Sequence, residues 1–209
     1  MGKKQKDVNQ ERLLINMYSS GLETLEEQFL DGIRNLIVGV IESGPTLESI
    51  LQEASNRIQI FFQFKKVAFS IRCRDGSYRY LAVIGFKDAA TKRKIIYPPQ
   101  KISKDIIPYG SGSIRICKNA HFHLSEKIPH DQGRENIENR SNLLGMVRQH
   151  PDDMVEGNLI TITLEGKNKE IIGWIEVSGT VSGKLPGRET ILKLEFLGSC
   201  LTPIINRIA

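Results

Sequence analysis

The chain is poor in cysteine and tryptophan and has no long apolar run. Three cysteines, Cys73, Cys117 and Cys200, are scattered through 209 residues. That number and spacing exclude a disulfide framework and a cysteine-rich zinc site. No stretch approaches the roughly 18 consecutive apolar residues of a membrane-spanning helix. The opening Met1-Gly2-Lys3-Lys4-Gln5-Lys6 is basic, yet no apolar signal core follows it. These absences predict a cytoplasmic protein with no membrane partner. Disorder is excluded as well, because 40% of residues are hydrophobic and 25% charged, close to globular averages.

The formal charge of +5 is unevenly placed. Residues 47–130 carry 15 Lys/Arg against 6 Asp/Glu, while both flanking segments are slightly acidic. The densest clusters are Arg72-Cys73-Arg74 and Lys92-Arg93-Lys94. One reading is an anion site for a nucleotide, a phosphate or nucleic acid. The other is a solvated face of strands and loops. Little interleaving of aromatic with basic residues argues against nucleic acid.

Periodicity divides the chain. Leu22, Leu25, Phe29, Ile33, Leu36 and Val40 form a helical stripe. Gly44-Pro45 ends it, and Thr46 is placed to cap a second helix carrying Leu47, Ile50, Leu51, Ala54 and Ile58. The period then becomes two. Val67 to Cys73 and Tyr78 to Phe86 flank Asp75-Gly76, as in an antiparallel hairpin. Ala89-Ala90 suggests a short helix, and Ile114 to Leu124 a short element and then a strand. A second hairpin runs from Leu159-Ile-Thr-Ile-Thr-Leu164 to Ile171–Ser178. The last element, Glu189 to Ile208, has a helical stripe that Pro203 should kink or end near Leu201.

The resulting fold class is α+β: a central antiparallel sheet with N- and C-terminal helices packed on one face, plus an N-terminal helical extension. Residues 1–45 read as a helical extension and 46–209 as the domain. Strict alternation puts Val67, Phe69, Ile71, Leu81, Val83, Ile160, Ile162, Leu164, Ile175 and Val177 on the helix-covered face. The other face receives Ala68, Ser70, Arg72, Tyr80, Ala82, Ile84, Thr161, Thr163, Trp174, Glu176 and Ser178. Small residues ringed by aromatic and charged ones suit a small-molecule pocket roofed by the long segments 87–113 and 129–158. They equally suit a loop-covered face with no ligand.

Two stretches carry a family resemblance. Ile107-Pro-Tyr-Gly110-Ser-Gly112-Ser-Ile114-Arg-Ile116-Cys-Lys-Asn-Ala-His-Phe-His-Leu124 resembles the Gly-rich turn and strand of GAF domains. Ile172-Gly173-Trp174-Ile175-Glu-Val177 resembles their strand before the closing helix. The resemblance covers about Thr46 to Ile208. It implies a sensor or interaction module of signal transduction, binding a small molecule or a signalling-protein partner without catalysis. It also implies a homodimer built through terminal helices, although the stripe Leu22–Val40 serves intramolecular packing just as well. No cofactor is specified.

Candidate ligand-binding residues are Ser70, Arg72, Tyr80, Thr161, Thr163, Trp174 and Glu176 from the strands, with Tyr109, Arg115 and His123 from the central segment. Arg72 suits a small anion, and Trp174 with Tyr80 suits a planar ring. Alternatively Arg72 pairs with Glu176 and fills the site.

Other patterns are weaker. Gly179-Thr-Val-Ser-Gly183-Lys184-Leu185 has three residues between its glycines and no Ser or Thr after the lysine, so it is not a phosphate loop. His121 and His123 share a strand face, but supply only two of four metal ligands. Asp152-Asp153 reads as solvated surface. Some GAF-fold enzymes reduce free methionine sulfoxide through pocket cysteines, which here requires Cys117 exposed near a second thiol.

Overall fold

The computed structural model describes residues 25–99, 113–124 and 148–208. Tyr109 and the Gly110–Gly112 turn lie outside the described residues. The chain divides into two compact units, 1–35 and 36–209. The described part of the first is the beginning of helix α1, Leu25–Ser43, which runs across the division.

The second unit is built on one seven-stranded antiparallel sheet. Its strands are β1 (Phe64–Arg72), β2 (Tyr78–Ile84), β3 (Ile96–Tyr97), β4 (Ser113–Arg115), β5 (Ala120–His123), β6 (Leu159–Glu165) and β7 (Ile171–Thr180). Their order across the sheet is β3-β2-β1-β7-β6-β5-β4. Helices α2 (Leu47–Phe62) and α4 (Arg188–Ile208) pack on β1, β2 and β6 and touch each other. The five-residue helix α3 (Ala89–Arg93) follows β2.

Local signals explain the joints. Thr46 caps α2, its hydroxyl accepting from Ser49 N–H at 3.2 Å. In the first hairpin, Asp75 accepts from the backbone and hydroxyl of Ser77 at 2.9 and 2.6 Å, while Gly76 takes a positive φ. Gly85, also at positive φ, ends β2 where a Cβ would meet Lys65 O at 1.8 Å. On α4, Gly198 allows close approach, since a Cβ would lie 2.9 Å from Leu164.

Two expectations are corrected. Pro203 does not end the last helix at Leu201, because α4 continues to Ile208. Pro203 and Ser199 are both on the exposed side, so the carbonyl that loses its partner meets solvent, while buried Leu201 and Ile205 hold the next turn down. Alternation also fails within β2. Phe69 pairs with Ala82 but Ser70 with Tyr80, so Leu81 is bulged out of the ladder. Ala82 and Ile84 therefore join Phe69 and Val67 on the helix side. Val83 joins Ala68, Tyr80 and Trp174 in a second core on the opposite face.

Candidate functional site

Sheet register assembles the face opposite the helices in rows. One row runs Thr163, Trp174, Ser70, Tyr80 across β6, β7, β1 and β2. The next runs His121, Thr161, Glu176, Ala68, Val83 from β5 to β2. Directly paired residues present their side chains to one side, so six candidates from four strands converge at the centre.

Glu176 is the focus. Its side chain is fully buried, and the Lys92 ammonium, itself 2% exposed, lies 2.7 Å from Oε2. Tyr80 O–H donates to Oε1, and Trp174 Nε1–H donates to the same oxygen at 2.9 Å. Burial alone would raise the carboxyl's pKa. The Lys92 charge, with the hydrogen bonds from Lys92, Tyr80 and Trp174, outweighs it and holds the group below its ordinary value. Aromatic rings enclose the pair. Lys92 Nζ stands 4.3 Å from the Phe86 ring centre and 4.5 Å from that of Tyr80. Tyr97 and Tyr78 stand 5.6 and 5.3 Å from Trp174. Ala89 and Ile95, flanking Lys92, pack against this cluster.

The other half of the face is polar. His123 is buried, and its Nε2 lies 2.9 Å from Thr161 Oγ1. Burial is the chief reason its pKa falls to about 4, while Glu176 pulls it up and His121 adds to the fall. The ring is thus neutral at physiological pH. Thr163 is buried, and its backbone N–H reaches Asn119 O at 2.8 Å. Ser70 is wholly buried, and its hydroxyl has no hydrogen-bond partner among the described residues. Lys66 pairs with Glu156 beside a small cleft lined also by Phe86, Asn158 and Ser178.

Ser70, Tyr80, His123, Thr161, Thr163, Trp174 and Glu176 are therefore brought together. Arg72 and Arg115 are not. Arg72 is exposed at the end of β1, opposite Tyr78. Arg115 is exposed and folds onto its own turn, donating to Cys117 O at 3.1 Å and Lys118 O at 2.9 Å. Tyr109 lies outside the described residues. The partner of Glu176 is Lys92, not Arg72. Lys92 was legible only as one member of a basic run. Its alternation with the exposed Arg93 and Lys94 carried no apolar signal, and burial comes from α3 folding back over β2.

Loss of Lys92 to the interior removes the centre of the basic patch that nucleic acid would need, and Arg93 is shared with Glu48 at 3.3 Å. Cys117 is buried rather than exposed, and all three thiols are free. That is the reverse of the exposed thiolate a reductase requires. Asp152 and Asp153 are not merely solvated; they clasp Lys184 at 3.1 and 2.8 Å. Among the described residues no group of three or more His, Cys, Asp or Glu is placed to hold a metal, and no helix is long and apolar enough to cross a membrane.

This is an α+β domain whose sheet has helices on one face and a buried polar and aromatic cluster on the other. Solved structures of that architecture place it more narrowly. The GAF domain of a phosphoenolpyruvate-protein phosphotransferase from Acinetobacter matches with a TM-score of 0.52 at 13% identity, over 85% of this chain and 92% of that one. Its counterpart from Coxiella burnetii gives 0.52 at 16%, over 86% and 93%. The phycoerythrobilin-bound GAF domain of a cyanobacterial phytochrome gives 0.53 at 12%, over 86% and 95%. The chain has the GAF fold. No family model and no curated protein matches it.

Proposed function

We propose that residues 46–209 form a non-catalytic sensor or interaction domain of signal transduction, acting in the cytoplasm. The carrying observation is the group of buried hydrogen-bonding side chains on the face away from the helices. Thr161 with neutral His123, Thr163 and the Ser70 hydroxyl, which has no hydrogen-bond partner among the described residues, offer directed donors and acceptors beside a sealed aromatic wall. Such a face suits a small planar or anionic ligand, a nucleotide or a tetrapyrrole of the kind held by the phytochrome domain. Alternatively it positions a partner-binding surface. The domain pairs with a second copy through its terminal helices. On α4, Leu192 and Phe196 stand four residues apart at 43% and 53% exposure.

The test is a melting-temperature screen of the chain against nucleotides and linear tetrapyrroles. A positive compound must lose its effect in Thr161→Val. If no compound raises the melting point and light scattering finds only monomer, a protein in search of neither ligand nor copy remains and the reading fails. Phe196→Glu should shift dimer to monomer without lowering the melting point of the isolated subunit.

A further inference from the structure

The Lys92 ammonium occupies surroundings suited to a bound cation. A carboxylate lies 2.7 Å away, and two ring centres lie within 4.5 Å. Ring faces attract cations, more strongly where water is excluded, and proteins recognise free organic ammonium ions by such cages. Tyr97 and Trp174 extend the wall, each standing edge-on to Tyr80. In this chain the cation arrives on the protein's own side chain.

The element that delivers it is slight. α3 has five residues, too few to hold a helix unaided. Ala90, Arg93 and Lys94 are exposed. Its first turn is fixed by Asp88, which accepts from Thr91 N–H at 2.9 Å. Lys92 and the flanking Ala89 and Ile95 bind it to the cage.

We infer that Lys92 is a tethered ligand: α3 plugs an aromatic–carboxylate cage that accepts a free primary alkylammonium ion when the plug withdraws. The inference rests on the cage geometry alone and stands apart from the sensor reading. A domain with no ligand on its polar half would still carry the cage. A short tether gives its end an effective concentration on the order of millimolar or above. Free amine therefore competes poorly with Lys92 in the wild-type chain and well once the tethered ammonium is gone.

The test uses the full chain and n-propylammonium, the fragment removed by Lys92→Ala. Trp174 is the sole tryptophan and its indole donates to Glu176, so its emission reports the cage. Lys92→Ala should show a saturable emission change with propylammonium chloride, at a midpoint about tenfold or more below that of the wild type. Sodium chloride and 1-propanol should produce none, nor should propylammonium act on the Lys92→Ala, Glu176→Gln double variant. In the wild-type chain, high propylammonium should speed amide exchange at residues 89–95 and leave β1 and β7 unchanged. A folded Lys92→Ala chain that fails to respond overturns the inference. Should that variant not fold, the wild-type measurement decides, and exchange at 89–95 indifferent to the amine overturns it.

Discussion

Lys92 and Glu176, 84 positions apart in sequence, meet at 2.7 Å with neither side chain more than 2% exposed. Desolvating two charges is costly, and their attraction offsets that cost only while both are present. Removing either leaves an isolated buried charge.

Lys92→Met and Glu176→Gln should therefore each lower unfolding free energy by about 3–5 kcal/mol. The double variant should lose clearly less than the sum, because no orphan charge remains. Urea unfolding of the four chains checks this; additive losses would mean that the pair is not coupled.

Tyr80→Phe keeps the ring beside Lys92 and removes only the hydroxyl that donates to Glu176. The expected loss is about 1.5–3 kcal/mol, the range for a hydrogen bond to a charged group. Circular dichroism during urea titration would measure it, and an unchanged midpoint would remove Tyr80 from the carboxylate's support.

Stability should fall on mild acidification. His123 titrates at about 4 in the folded chain, against an ordinary value near 6.5 when unfolded. Between those values the unfolded chain binds a proton that the folded chain refuses. Stability complete above about pH 6.5 is thus lost as pH falls towards 4, by roughly 3 kcal/mol in total. The Glu176 carboxylate, held below its ordinary 4.5, contributes only at more acidic pH. His123→Gln should flatten the slope of unfolding free energy between pH 4.5 and 6.5.

Gly85→Ala should be strongly unfavourable. The residue has φ 77°, and its Cβ would overlap Lys65 O. A loss above about 1 kcal/mol is expected, read as a lower melting temperature. An unchanged value would require the β1–β2 hairpin to shift.

Much of the scaffold was readable in the residues. Thr46 as a cap, Asp75-Gly76 as a turn and the alternation in Leu159–Leu164 are local signals whose geometry depends on near neighbours. Pairing of β1 with β7 was not written locally, yet a common apolar face required these strands to share a sheet. The site was only half legible. Ser70, Trp174, Glu176 and Thr161 followed from alternation. Lys92, Phe86 and Tyr97 were missed because tertiary burial, not sequence spacing, makes a lysine in a basic run an internal counterion. Arg72, with the same charge and a strand position, ends beyond the covered part of the sheet.

The bulge in β2 has a genetic corollary. Leu81 is surplus to the ladder: Tyr80 already faces Ser70 and Ala82 already faces Phe69. Loss of this single codon would restore an unbroken alternation and leave each neighbour on its present face. An insertion beside Tyr80 without a compensating bulge would instead turn its ring towards α2. Across a lineage, β2 can thus shorten by one residue at position 81 without exchanging its two layers. Loss of Tyr80 would also keep the layers, but it would seat Leu81 opposite Ser70 and take away the hydroxyl that donates to Glu176.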